Sequence, residues 1–199
     1  MKSFLDTFRS RMWSALCAVS LMVVSLGSAK AAVMGTATIS TTQTSAPYTY
    51  ALTLQNTGTL PIDTFWFAWL DNPDKSFMSV APTNVQSPSN WFGLTSHLGA
   101  TDGFGIEYYA FGGGLAPGGT LTGFDFVSTE SPAQLLGNVS VPGVGNLPVA
   151  TTFLYSGGAF SANVAQITTT VVPEPATVVL GLVGSLALLY SWRRSKQAC

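Results

Sequence analysis

Between residues 32 and 172, no dozen residues free of glycine and proline carry apolar side chains at the spacing of an amphipathic helix. Apolar and polar residues instead alternate, which turns successive side chains to opposite faces of a strand. The alternation runs through Thr36-Ala37-Thr38-Ile39-Ser40, Tyr48-Thr49-Tyr50-Ala51-Leu52-Thr53-Leu54 and Leu121-Thr122-Gly123-Phe124-Asp125-Phe126-Val127. The aromatic run Thr64-Phe65-Trp66-Phe67-Ala68-Trp69 also suits a sheet, and residues 91–97, 105–111, 136–141, 149–155 and 164–170 are further candidates. Turn residues separate these runs at Asn56-Thr57-Gly58, Asp71-Asn72-Pro73-Asp74, Gly112-Gly113-Gly114, Pro117-Gly118-Gly119 and Pro142-Gly143-Val144-Gly145. About nine short strands spaced by such turns predict an all-β chain, a single antiparallel β-sandwich with aromatic side chains between two sheets.

Charge divides the chain into three parts. Residues 1–31 carry Lys2, Arg9, Arg11 and Lys30 against Asp6; residues 32–172 carry Lys75 alone against seven acids, a net of −6; residues 173–199 carry Arg193, Arg194 and Lys196 against Glu174. With one lysine the middle cannot neutralise a phosphate backbone, so a nucleic-acid partner is excluded. Both cysteines, Cys17 and Cys199, fall in the end segments. The middle therefore offers no cysteine nucleophile, thiolate metal site or disulfide, and stands on packing alone. Residues 32–172 have the ordinary size of one domain.

The ends read as addresses. Residues 1–31 have a basic start, an apolar stretch over 13–26, and Ala29 and Ala31 at the spacing signal peptidase accepts, so cleavage after Ala31 is expected. The apolar stretch falls short of the roughly 20 residues a spanning helix needs. In residues 173–199 a second apolar run predicts a transmembrane helix over about 176–192. Arg193, Arg194 and Lys196 behind it act as a basic stop on the cytoplasmic side. Pro173-Glu174-Pro175 stands just before that run, its two prolines holding the backbone extended.

The order of that triplet, the apolar run with Gly181 and Gly184, and the terminal Trp192-Arg193-Arg194 resembles the PEP-CTERM sorting signal of Gram-negative bacteria. The resemblance implies recognition by an exosortase, a membrane cysteine transpeptidase that cuts near the triplet, with Pro173, Glu174 and Pro175 as the sorting motif. It also implies an association with exopolysaccharide, biofilm or floc. Separately, residues 52–62 and 115–121 resemble pieces of exported immunoglobulin-like domains, each in its turn and following strand. The expected sandwich is accordingly of immunoglobulin-like or jelly-roll type.

Chemistry-bearing residues are sparse. His97 is the sole histidine; with Ser96 or Asp102 it would have to assemble a base from near neighbours that a strand points apart. Neither a Gly-x-Ser-x-Gly elbow nor a His-x-x-x-His pair occurs. Asp102, Glu107, Asp125 and Glu130 could supply a carboxylate pair for glycoside cleavage only if two met in a cleft. Asp71 and Asp74 are a candidate calcium site, weighed against an ordinary turn around Pro73. Trp66, Trp69 and Trp91, with Tyr108 and Tyr109, are candidates for stacking on sugar rings, although most are expected in the core.

These observations predict an exported, exosortase-sorted protein of the cell surface or extracellular matrix, passing through an inner-membrane-anchored precursor. Its sandwich is expected to be non-catalytic and to need no cofactor. The expected partners are the Sec machinery, signal peptidase, exosortase, the membrane transiently, and exopolysaccharide. The alternatives are a carbohydrate-binding module using exposed aromatics and, less favoured, a glycosidase or other hydrolase.

Overall fold

The structure, a computed structural model, describes residues 31–96, 102–158 and 160–172. Residues 173–199, Ala29 and His97 lie outside the described residues, so the sorting motif, the basic stop and the candidate 176–192 helix do too. Among the described residues no helix is long and apolar enough to cross a membrane.

The described chain is all-β. Its strands are β1 Gly35–Ser40, β2 Tyr48–Asn56, β3 Thr64–Phe67, β4 Trp69–Leu70, β5 Lys75–Ser76, β6 Thr83–Gln86 and β7 Trp91–Ser96. They continue as β8 Gly105–Ala110, β9 Thr120–Ser128, β10 Asn138–Val141, β11 Gly145–Pro148, β12 Thr151–Tyr155, β13 Val164–Thr168 and β14 Thr170–Val172. One five-stranded sheet has the order β14-β1-β2-β9-β6, a second the order β13-β12-β3-β8-β7, and β4-β5 and β10-β11 form two-stranded ribbons. Within these sheets every strand pairing is antiparallel except β1 with β14.

The two large sheets meet through aromatic rings. From β9 of the first sheet, Phe124 lies 5.0 Å from Phe65 of β3, 5.1 Å from Tyr108 of β8 and 5.2 Å from Trp91 of β7, all edge-on. Phe126 of β9 is 5.4 Å from Phe67 of β3. Burial of each such ring contributes about 1.5–3 kcal/mol, and edge-on geometry adds to it because ring edges are positive and faces negative. In the first sheet only alternate residues are buried, as in β2, where Tyr50, Leu52, Leu54 and Asn56 face inward. In the second sheet β3 and β12 are buried on both faces.

That double burial comes from a break at Ala68, with Phe160 completing the cover over Trp66 and Tyr155. Alternation places Trp66 and Trp69, three apart, on opposite faces, but Ala68 takes a left-handed φ of 57° and ends β3. The alternation restarts out of phase, and Trp69 comes to rest 4.5 Å from Trp66 and 5.5 Å from Phe153 on the outward side of the sheet. A second break, at buried Thr169, moves the chain from β13 in one sheet to β14 in the other. There Thr169 donates its N–H to the Ala150 carbonyl at 2.9 Å, and its hydroxyl meets that of Thr152 at 2.7 Å.

Several expected strands shorten for reasons visible locally. Residues 136–141 form a strand only from Asn138, because Ser131 caps a single helical turn at Pro132–Leu135 and Gln134 bonds back to it, a capping box. The glycine run 112–114 lies in the connection between strands of different sheets, β8 and β9. Pro117-Gly118-Gly119 is a tight turn as expected, with Gly119 N–H on Ala116 O at 2.9 Å and Gly118 at φ 76°.

The segments 52–62 and 115–121, singled out separately in the sequence, are joined by buried Asn56. Its amide donates to Leu60 O and Leu115 O, both at 2.8 Å, and its Oδ1 accepts the Gly58 N–H at 2.9 Å. Replacing Asn56 with alanine removes three hydrogen bonds; Leu115 O keeps the Ile62 N–H and the Gly58 N–H keeps Met34 O, so Leu60 O is the group that loses its donor, and the cost is about 1–2 kcal/mol. Denaturant unfolding of the Asn56→Ala protein should register that loss as a lower midpoint with unchanged slope; an unaltered midpoint would mean the joint carries no stability.

Candidate functional site

The outward side of the second sheet is the richest surface in the described chain. By pairing and alternation it presents one row of residues Tyr155, Thr64, Tyr109 and Phe92, and beside it a row Phe153, Trp66, Glu107 and Leu94. At the β12 end the rings are covered. Trp66 is 7% exposed and Trp69 fully buried, with Phe160 lying 6.1 Å from the first and 5.7 Å from the second. Trp69 gives its indole N–H to Asp74 Oδ1 at 2.6 Å. The phenol of Tyr155 in this cluster is pushed well above its ordinary range by burial first, then by the Asp71 and Asp74 carboxylates.

At the β7 end the rings are open. Phe92 is 46% and Phe111 57% exposed, and with half-buried Tyr109 they make a mutually touching trio at 5.4, 5.0 and 6.4 Å. Next to this trio is a depression of about 320 Å³ bounded by Asp63, Thr64, Glu107, Tyr109, Gly157 and Gly158. Burial raises the pKa of Glu107 above the usual carboxylate value. Asp63 closes the depression as a clamp, its Oδ1 accepting the Gly114 N–H at 2.9 Å and its Oδ2 the Gly157 N–H at 2.6 Å. Gly114 has to be glycine here, since a Cβ would come within 2.0 Å of Ile62 O and 2.5 Å of Asp63 Oδ1.

The candidates drawn from the sequence separate under this geometry. Trp66, Trp69 and Trp91 are all at most 8% exposed, and Tyr108 is fully buried, so none of these rings offers a face to a sugar. Trp91 is held in the interior against Phe65 and Phe124. The exposed rings by this face are instead Phe92, Phe111, the outer side of Phe160 and, partly, Tyr109. Only Tyr109 was legible as a candidate, and the signal that could have found Phe92 is alternation, which puts it opposite Tyr109 on the outward face.

The carboxylates do not gather. Glu107 faces outward from the second sheet. Asp125 lies between inward-facing Phe124 and Phe126 of the first, and so on that sheet's outward side. Asp102 borders a separate depression of about 420 Å³ with Lys75 and Ser79. Glu130 is buried, with Oε1 accepting both the N–H and the hydroxyl of Ser79 at 2.6 Å. Its backbone carbonyl takes the Tyr50 hydroxyl at 2.6 Å. Glu130 therefore fastens the loop after β5 to the start of the helical turn. The phenols of Tyr50 and Tyr108 are both driven up by burial, with smaller pushes from Tyr48 and Glu130 on the first and from Asp125 on the second.

The hydroxyl of Ser96 accepts the Gly105 N–H at 3.1 Å and lies 3.4 Å from that of Ser76. The Asp71-Asn72-Pro73-Asp74 segment is the turn between β4 and β5, and Asp74 serves the Trp69 indole. Among the described residues, no three His, Cys, Asp or Glu side chains are grouped to hold a metal ion.

The raised pKa of Glu107 fixes a sign. The folded protein keeps the proton to higher pH than the unfolded chain, so stability falls as pH rises through that window, and the whole penalty is present above it. Glu107→Gln should therefore melt higher than the parent at pH 7, and the two should melt together near about pH 3, where the carboxyl is protonated in both states. A parent that melts higher than Glu107→Gln at pH 7 would contradict the desolvation. No family model matches the chain, and no curated protein is significantly similar to it in sequence.

Proposed function

We propose that the chain is an exported, exosortase-sorted protein whose non-catalytic domain is delivered to the cell surface or extracellular matrix. The observation that carries this reading is the order Pro173-Glu174-Pro175, apolar run, Arg193-Arg194 at the C-terminus, combined with the basic, apolar start and Ala29-x-Ala31. It is supported by a cysteine-free, acidic domain with a single lysine, which resists adsorption to anionic partners. Glu107, Asp125 and Glu130, spread over different surfaces and bonds, favour a domain that binds or spaces over one that catalyses.

In this reading the two five-stranded sheets form one sandwich of immunoglobulin-like or jelly-roll type. The order β14-β1-β2-β9-β6 over β13-β12-β3-β8-β7 supports it, as does the sheet change at Thr169. A second reading, a carbohydrate-binding module, is favoured by the exposed trio of Phe92, Tyr109 and Phe111.

Intact-mass and terminal-peptide spectrometry of the native protein, from cells with and without their exosortase, tests the proposal. A product starting at Ala32 and ending near Pro173-Glu174-Pro175 only when the enzyme is present is the expected result. Retention of everything through Cys199 in both strains would overturn sorted export.

A further inference from the structure

We infer that the Phe92, Tyr109 and Phe111 trio and the depression beside it form a binding site for a neutral glycan. The inference rests on the second reading above, that of a carbohydrate-binding module, and gives it a place and a ligand chemistry.

A sugar ring has an apolar face of C–H bonds and a rim of hydroxyls that both donate and accept. A site for it therefore needs an exposed aromatic face beside unspent polar groups, which few apolar patches supply. The outward face of the second sheet joins the two at Tyr109, which touches Phe92 and Phe111 on one side and borders the 320 Å³ depression on the other. That volume is at the small end for ligand pockets, which run from about 300 to 1,000 Å³, and suits a single sugar unit with its neighbours lying over the rings.

Of the two carboxylates in the depression, Asp63 is spent on the Gly114 and Gly157 N–H groups and Glu107 is the one left for a ligand. Among the described residues the Glu107 carboxylate has no hydrogen-bond or ion-pair partner, and it is an acceptor for sugar hydroxyls. Gly157 and Gly158 leave one rim without side chains, and a Cβ at Gly158 would meet nothing within 4 Å, so the approach is open.

Charge selects among glycans. Asp63 and Glu107 both border the depression, and the domain carries seven acids against one lysine. A polyanionic polysaccharide would meet like charge at the site and across the surface. The aromatic trio itself has no charge to satisfy, which leaves an uncharged sugar as the fitting ligand.

Native affinity electrophoresis of the purified full chain, through gels containing dextran, a soluble β-glucan or galactan, with alginate as the polyanion, tests this. At least one neutral polymer should retard the protein and alginate should not. Tyr109→Ala should weaken the retardation about tenfold, the loss expected for one stacking ring. Phe111→Ala, at an exposed turn position where folding is not at stake, should weaken it in the same direction while leaving the melting temperature unchanged.

The inference is overturned if no neutral polymer retards the chain, if alginate retards it more strongly, or if neither substitution alters the retardation. Export and binding fail separately. A processed, exported chain that ignores every neutral glycan removes the site and keeps the sorting, whereas an unprocessed chain that binds keeps the site and removes the sorting.

Discussion

Phe124 stands edge-on to three rings of the opposite sheet, Phe65, Trp91 and Tyr108, within 5.0–5.2 Å of each. In residues 32–172 there is no cysteine to share the task, so this interlock fixes how the sheets face one another. Everything else takes its place from it. Once Phe65 and Phe67 are committed inward, Trp66 must face outward, and with it the paired residues Glu107 and Phe153. The surface proposed to meet a ligand is thus the reverse side of the core, set by the same strands and the same registers.

Two local devices then shape that reverse side. The left-handed Ala68 lays Trp69 over Trp66, and with Phe160 it closes the face at the β12 end. The Asp63 clamp ties Gly114 and Gly157 from two separate connections to the start of β3, which keeps the depression walled at one end and leaves the β7 end open. One face so divided has a covered aromatic half, which stabilises, and an uncovered half with exposed phenylalanines that the interior does not need.

Much of this was legible in the sequence where a strand alternates strongly. β1, β2, β7, β8 and β9 lie within a residue or two of where periodicity and turn chemistry put them, because apolar and polar residues alternate in them or aromatics anchor them, and the turns beside them carry Gly, Pro or Asn. β6 was missed because Thr83-Asn84-Val85-Gln86 has one apolar residue and pairs irregularly at a sheet edge. The breaks at Ala68 and Thr169 were invisible, since neither residue type signals a left-handed or sheet-crossing backbone.

The site was legible only in part, and for a related reason. Alternation assigns a residue to a face but not to the inside or outside of the molecule, and size alone pulled attention to the tryptophans, which the core claims. Tyr109 was among the candidates, while Phe92 and Phe111 depend on knowing that β7 is an edge strand. Asp63 reads as an ordinary loop acid until Gly114 and Gly157, far apart in sequence, converge on it.

The division of aromatic residues between an interlocked interior and an open outward face is the claim on which the rest stands. Hydroxyl-radical footprinting of the full chain, read residue by residue by mass spectrometry, measures it directly. Phe92 and Phe111 should oxidise rapidly while Phe65, Tyr108 and Phe124 stay protected until the protein unfolds. Oxidation of Phe124 and Tyr108 at the rate of Phe92 in the native protein would contradict the packing from which both the fold and the site are derived.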